Sequence, residues 1–100
     1  MFPVINKKET GLNLRRIMDN RGLSAKDVQE YLGLGCVQSV YRWIDGINMP
    51  TIDNLYALSR LFGVTIEKIL VGNDEFFYHI GKFFKLPYMI KNAPLRIYTD

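Results

Sequence analysis

Residues 24–46, SAKDVQEYLGLGCVQSVYRWIDG, predict two helices joined by a short turn. Ser24 is a typical N-cap, and Asp27 three residues later can complete a capping box with it. Gly33 is suited to end the first helix, and Gly35 allows the chain to bend again. The second helix is expected to run from about residue 37 to residue 45 and to end before Gly46. This stretch therefore predicts a compact unit of two helices with a tight turn between them.

The second helix of this unit has one apolar and one polar face. At about 100° per residue, Val40, Trp43 and Ile44 fall together and are expected to face the core. Four side chains with polar groups fall on the opposite side: Gln38, Tyr41, Arg42 and Asp45. Most surface helices have such a polar face, so the face alone predicts little. Its place on the second of two closely joined helices favours a role in recognition.

The outward side chains of this helix are suited to the edges of DNA bases. Glutamine can pair bidentately with adenine, and arginine can pair with guanine or with a phosphate. A recognition helix enters the major groove by its N-terminal end. We therefore expect Val37, Gln38 and Tyr41 to read bases, and Arg42 to reach a base or the backbone. Ser39 lies near the edge of this face and is expected to contact phosphate.

The chain up to about residue 72 predicts an all-α bundle of five short helices. Gly22 is suited to the left-handed position after the first helix, and Thr51 and Thr65 are suited to cap the fourth and fifth. Apolar residues at helical spacing are expected to form the core: Leu12, Leu14, Ile17 and Met18 in the first helix, Val28, Tyr31 and Leu32 in the second, Ile52, Leu55, Leu58, Leu61 and Phe62 in the fourth, and Ile66, Ile69 and Leu70 in the fifth. Residues 6–72 are expected to form one domain, and residues 73–100 an extension.

Composition and charge limit the classes of function. The chain has 100 residues, of which 48% are hydrophobic, and this is enough to bury a core in a single domain. The net charge of +3 and the pI of about 9.1 favour an anionic partner, although the excess is small. No stretch approaches the roughly 18 apolar residues of a membrane span, and the first residues lack the apolar core of a signal peptide. A cytoplasmic protein that does not enter the membrane is therefore expected.

The reactive side chains form no arrangement typical of catalysis or metal binding. Cys36 is the only cysteine and His79 the only histidine, so neither has a second ligand of its kind with which to hold a metal. Cys36 can form no internal disulfide and is expected to be a small capping residue of the third helix. The carboxylates form no paired motif, and the sequence has no glycine-rich phosphate loop. We therefore expect no enzyme activity, no cofactor and no metal.

The C-terminal extension, residues 73–100, is rich in aromatic residues. Five apolar residues repeat at helical spacing and predict an amphipathic helix over about residues 74–85: Phe76, Phe77, Ile80, Phe83 and Phe84. One interpretation packs this apolar stripe on the bundle of the same chain. The other packs it on a second copy and forms a homodimer, because concentrated aromatic residues are typical of interfaces as well as cores. The stripe also offers a surface for a different protein partner.

Motifs in a regular order along residues 6–71 support the interpretation of the helical bundle. They are Gly22-Leu23-Ser24, Tyr31-Leu32-Gly33, Arg42-Trp43 with Gly46, Pro50-Thr51, Asn54-Leu55, Leu58-Ser59, Leu61-Phe62-Gly63-Val64 and Ile69-Leu70. In this order the chain resembles the helix-turn-helix domain of the Cro/C1 (XRE-type) repressors. The resemblance implies a lambda-repressor-like fold, double-stranded DNA as the partner, and base reading by the residues that open the third helix. It also implies phosphate contacts around the starts of the second and fourth helices, by Ser24 to Lys26 and by Asn48, Thr51 and Asn54.

Two positions depart from the pattern of this family. Ala25 stands where the family usually has a glutamine that holds a phosphate, and Lys26 can supply a positive charge in its place. The turn of residues 33–36 is one residue longer than the usual pattern. A longer turn can change the tilt of the third helix and therefore the bases that it reads.

Two functional hypotheses follow from the sequence. The first is a sequence-specific transcriptional regulator, most simply a repressor that binds an inverted repeat as a dimer. The second is a protein-interaction module on the same scaffold, such as an antitoxin or an anti-regulator that acts through the aromatic extension. The small net charge and Ala25 favour the second. Salt dependence separates them, because binding to phosphates weakens steeply with salt and an apolar interface does not.

Overall fold

The computed structural model describes residues 2–74, and these residues form five α-helices. The helices are α1 (Lys7–Asn20), α2 (Ala25–Leu32), α3 (Gln38–Ile44), α4 (Ile52–Phe62) and α5 (Ile66–Ile69). Helix α3 packs against α1 and α2, while α4 packs against α2 and α5, and α5 also contacts α1. The predicted all-α bundle of five helices is confirmed. The aromatic stripe of the extension lies outside the described residues.

Side-chain caps begin α1 and α4, and the second of them was predicted. The side-chain oxygen of Asn6 accepts a hydrogen bond from the backbone N–H of Glu9 at 2.9 Å, and this starts α1. The hydroxyl of Thr51 accepts from the N–H of Asn54 at 3.2 Å, as predicted for α4. Thr65 precedes α5, but its side chain makes no capping hydrogen bond. Each cap satisfies one of the backbone donors that a helix start leaves without a partner.

Eleven hydrophobic residues form the buried core, and every helix contributes to it. They are Leu14, Ile17, Met18, Ala25, Val28, Val40, Trp43, Leu55, Leu58, Phe62 and Ile69. Pairs of helices in the bundle are thus joined through apolar side chains rather than through ion pairs. Within residues 2–74, the salt bridge between Arg15 and Asp19 on the surface of α1 joins residues of one helix, not two.

Three residues that the sequence predicted to be buried are exposed instead. Leu12 is 57% exposed, because it lies on the side of α1 opposite to Leu14 and Ile17 when positions are counted at about 100° per residue. Tyr31 is 53% exposed and lies at the margin of the buried face of α2. Ile52 is 77% exposed because it is the first residue of α4, where the helix extends beyond the core.

A buried polar residue joins the first and last helices. The side-chain nitrogen of Asn13 donates to the carbonyl oxygens of Lys68 and Ile69, at 2.8 and 2.9 Å. Its side-chain oxygen accepts a hydrogen bond from Arg16. These two carbonyls lie at the end of α5, where a helix has no internal donors for them. The side chain of Asn13 in α1 therefore caps the C-terminal end of α5.

Asn13→Ala should lower the free energy of unfolding by about 1–3 kcal/mol, because two carbonyl groups lose their donor in a partly or fully buried place. Asn20→Ala is the matched control, since Asn20 is the exposed last residue of the same helix. Its cost should stay within about 0.5 kcal/mol. Urea denaturation of both variants measures the difference, and equal midpoints would mean that the contact with α5 contributes nothing.

The two ends of the described chain pair with each other. Ile5 and Gly72 form an isolated antiparallel bridge. The N–H of Asn6 donates to the carbonyl of Val71 at 2.8 Å, and the N–H of Asn73 donates to the carbonyl of Val4 at 2.9 Å. The pairing holds the N-terminal segment beside the point where the extension begins. The boundary between domain and extension near residue 72 stays a prediction.

Candidate nucleic-acid interface

The turn between α2 and α3 is held by hydrogen bonds on both of its sides. Gly33 ends α2 in the left-handed conformation with φ of +70°, which confirms its predicted role. The N–H of Leu34 donates to the carbonyl of Gln29 at 3.0 Å. The side chain of Gln29 donates back to the carbonyl of Leu34 at 2.9 Å. Because this reciprocal pair fixes the path of the turn, it also fixes where α3 starts.

Helix α3 is anchored by its inner face, as the sequence predicted. Val40 is fully buried, and Trp43 is nearly so. Ile44, at the last position of the helix, is half-buried and packs against the core. The half-buried Leu34 and Val37 pack against the same core just before the helix. These contacts leave the opposite face of α3 at the surface.

The outward face of α3 carries the residues predicted to read bases. Gln38, Tyr41 and Arg42 are exposed, and their spacing of three and four residues places them on one side of the helix. Val37 is the N-cap residue and is half-buried, and Ser39 is also half-buried. The structure therefore brings three of the predicted side chains together on one accessible surface.

The residues predicted to contact phosphate lie near two helix starts. Ser24 caps α2 and Lys26 is exposed in its first turn, while Thr51 caps α4 and Asn54 is half-buried in its first turn. Asn48 is exposed in the connection between α3 and α4. Each capping hydroxyl accepts a backbone hydrogen bond, and its own O–H can still donate to an anion. Helix starts also present backbone donors that favour a phosphate.

The predicted capping box of α2 is confirmed. The hydroxyl of Ser24 accepts from the N–H of Asp27 at 3.1 Å, and the carboxylate of Asp27 accepts from the N–H of Ser24 at 2.9 Å. Hydrogen bonds to its carboxylate, from the backbone N–H of Ser24 first and from the Ser24 hydroxyl second, hold the pKa of Asp27 below its ordinary value of 3.8. The negative charge of Asp27 is thus engaged in starting the helix.

Acidic pH should lower the stability of the folded protein in part by protonating Asp27. A carboxyl whose pKa is lowered in the folded state stabilises the protein above its ordinary pKa, and this stability is lost as pH falls through the lowered value. Between about pH 5 and pH 2, the melting temperature of wild-type protein should fall more than that of Asp27→Asn, which cannot titrate. Asp53→Asn, in the first turn of α4, is the control and should follow the wild-type curve more closely. Parallel curves for wild type and Asp27→Asn would contradict the assignment.

The sequence was wrong about the residue that caps α3. Cys36 was expected to cap this helix, but Val37 occupies the N-cap and makes no side-chain capping bond. Cys36 precedes it with an exposed thiol. The apolar Val37 is placed at the cap by its packing on the core rather than by a hydrogen bond. The start of α3 therefore keeps backbone donors without an internal partner.

The family model described as helix-turn-helix matches residues 14–69, which include α2, the turn, α3 and α4. The chain belongs to the Cro/C1-type helix-turn-helix family. The resemblance read from the sequence is thereby confirmed, and the protein is a DNA-binding transcription regulator rather than an enzyme. None of the helices within residues 2–74 has the length and apolar character needed to cross a membrane.

Solved structures of regulators share this fold. The restriction-modification controller protein C.AhdI from Aeromonas hydrophila is 19% identical with a TM-score of 0.57, over 62% of this chain and 92% of that one. The BldD DNA-binding domain of S. venezulae is 27% identical with a TM-score of 0.56, over 66% and 97% of the two chains. A transcriptional regulator from Listeria innocua is 22% identical with a TM-score of 0.57, over 88% and 86%. No curated protein matches the sequence.

Proposed function

We propose that this regulator is a repressor that binds an inverted DNA repeat as a homodimer and reads bases with the outward face of α3. The observation that carries the proposal is the division of α3 into two faces. Val40 and Trp43 anchor it in the core, and Gln38, Tyr41 and Arg42 are exposed together on the other side. A short helix held in this way can enter the major groove without rearrangement of the bundle.

The side chains on α3 have complementary uses in the groove. Gln38, at the first position of the helix, is placed to form two hydrogen bonds with an adenine edge. Tyr41 can lay its ring against a thymine methyl group, and Arg42 can pair with guanine or neutralise a phosphate. Ser39, half-buried beside them, is assigned to phosphate. Each good base contact discriminates by about 1–3 kcal/mol.

Phosphate contacts on both sides of α3 would hold the helix in register. Ser24 and Lys26 at the start of α2 supply one group of donors. Asn48, Thr51 and Asn54 around the start of α4 supply the other. Such contacts position a protein on DNA and add affinity that does not depend on sequence. The 27% identity with a protein described as a DNA-binding domain supports DNA as the partner.

A dimer follows from the small size of the surface with which α3 would read bases. Helix α3 has seven residues and is about 10 Å long, so one copy reads few base pairs. Two copies related by a two-fold axis read two half-sites about one helical turn apart, and the site is then an inverted repeat. A dimer bound across a promoter excludes the polymerase, which is the simplest form of repression. The protein would act in the cytoplasm, where a bacterial-type repressor meets its DNA.

Selection from a pool of randomised duplexes tests the proposal. The protein should retain duplexes that share a palindromic consensus, with two protomers per duplex measured by sedimentation. A reporter gene with this consensus across its promoter should be expressed less when the protein is present. Enrichment without palindromic symmetry would contradict the dimer on an inverted repeat, and increased expression would contradict the repressor.

The small net charge of +3 and the alanine at position 25 favour a second candidate, a protein-interaction module on the same scaffold. Its partner would be bound through the aromatic extension. Salt separates the two candidates, since affinity for DNA should fall steeply between about 50 and 200 mM salt. An apolar protein interface should keep its affinity over that range. A folded protein that enriches no duplex at low salt would favour this second candidate.

A further inference from the structure

The end of α3 crosses the backbone of α1 at two glycines. A Cβ atom added at Gly11 would lie 2.5 Å from the carbonyl oxygen of Trp43 and closer still to that of Ile44. A Cβ atom added at Gly46 would lie 2.7 Å from the Cα of Lys8. Real Cβ atoms do not approach other atoms so closely, so only glycine fits either position without movement of the backbone. Gly11 lies in α1, and Gly46 is the residue that follows the C-cap of α3.

The last turn of α3 is closed rigidly at this crossing. Gly46 has φ of +75°, and its N–H donates to the carbonyl of Trp43 at 3.1 Å. The N–H of Ile47 donates to the carbonyl of Arg42 at 2.9 Å. The turn that bends the chain away from α3 therefore uses the carbonyl of Trp43, which is one of the two carbonyls that face Gly11. Movement of either glycine would move this end of the helix.

Close contact of backbones has a direct geometric consequence for α3. Packed helices usually lie 8–10 Å apart because side chains separate them, and glycine removes that spacer. A side chain at the crossing would push the C-terminal end of α3 outward, while Val37 and Val40 hold its other end in the core. Because α3 has only seven residues, displacement of one end changes its tilt. The exposed side chains of the helix would then point at different places in the groove.

We infer that Gly11 and Gly46 are positioning residues that set the tilt of α3 and so determine which bases it reads, although neither reaches the DNA. This inference rests on the proposed reading of bases by α3. It goes beyond the side chains of the reading surface, because it assigns part of the sequence specificity to a crossing on the opposite side of the helix.

Two matched asparagine variants test the inference. Gly46 and Gly63 both have left-handed φ values, +75° and +71°, which asparagine tolerates better than other side chains. Space differs between them, since a Cβ at Gly63 would meet nothing within 4 Å. Gly46→Asn should lower the ratio of affinity for the selected duplex to affinity for a scrambled duplex about tenfold, the loss of one base contact. Gly63→Asn should leave the ratio within about twofold. Circular dichroism first establishes a temperature at which both variants are folded.

Residual dipolar couplings of the backbone amides measure the angle between α1 and α3 without DNA. The inference predicts a changed angle in Gly46→Asn and the wild-type angle in Gly63→Asn. An unchanged angle or an unchanged affinity ratio in Gly46→Asn overturns it. Failure of Gly46→Asn to fold also overturns it, because the crossing would then be needed for the fold and not for the tilt alone. If wild-type protein selects no duplex, the proposed function fails first, and the couplings still test the tilt.

Discussion

Gln38→Ala should lower affinity for the selected duplex by about 1–3 kcal/mol per half-site, while affinity for a scrambled duplex changes little. The physical reason is the loss of a bidentate contact with one base in each half-site. Gln38 is exposed at the first position of α3, so its removal leaves the core intact. Fluorescence anisotropy with both duplexes at one salt concentration measures the two affinities. If the variant retains both the affinity and the preference of the wild type, the assigned docking of α3 is wrong.

Lysine variants provide the comparison for this result. Lys26→Ala should weaken binding to selected and scrambled duplexes alike and reduce the slope of affinity against salt by about one unit, because it removes a phosphate contact. Lys68→Ala is its control, since Lys68 is also exposed but belongs to α5, outside the two helix starts assigned to phosphate. It should leave both affinities close to those of the wild type. Equal effects of the two lysine variants would point to a general attraction by charge.

Leu58→Ala should lower the free energy of unfolding by about 2–5 kcal/mol, a large part of the stability of a small domain. Leu58 is fully buried in α4, so the change removes apolar contacts and leaves a cavity. Ile52→Ala in the same helix is the control, because Ile52 is almost fully exposed, and its cost should stay within about 0.5 kcal/mol. Chemical denaturation gives both values. A large cost for Ile52→Ala would mean that this side chain is covered in the folded protein.

The bundle and the orientation of α3 were predictable because they follow from local periodicity. Val40 and Trp43 repeat at helical spacing, and the capping box of Ser24 and Asp27 lies within one turn. Such signals need only neighbours in sequence. The family resemblance then placed these local elements in one known arrangement.

The residues that the sequence prediction misplaced or missed are those whose roles depend on contacts between distant parts of the chain. Leu12 and Ile52 are apolar residues in amphipathic helices, but the bundle offers them no partner. Asn13 acts on carbonyls 55 and 56 residues away, and Gly11 is needed because of the end of α3. One signal was present for Asn13, since it shares the helical face of Leu14 and Ile17 and a polar residue there requires a partner. The identity of that partner depends on packing and was not readable from the sequence.

Base contacts stay a prediction because the exposed face of α3 is compatible with several alignments in the groove. In the proposed complex, the tilt of α3, the turn held by Gln29 and the two groups of proposed phosphate donors would together determine the alignment. The sequence contains these parts, but their combined geometry appears only in the folded bundle. Whether Phe76, Phe77, Ile80, Phe83 and Phe84 of the extension pack on the same bundle or on a second copy stays a prediction of the sequence, because these residues lie outside the described part of the chain.

Titration of ¹⁵N-labelled protein with the selected duplex tests the central claim most directly. Amide signals should shift most for residues 37–42 of α3, and to a lesser extent for residues 24–26 and 48–54 near the starts of α2 and α4. Signals of residues 2–5 and 71–73, where the two ends of the described chain pair, should change least. Shifts confined to those paired ends, with α3 unchanged, would contradict the reading of DNA by this helix.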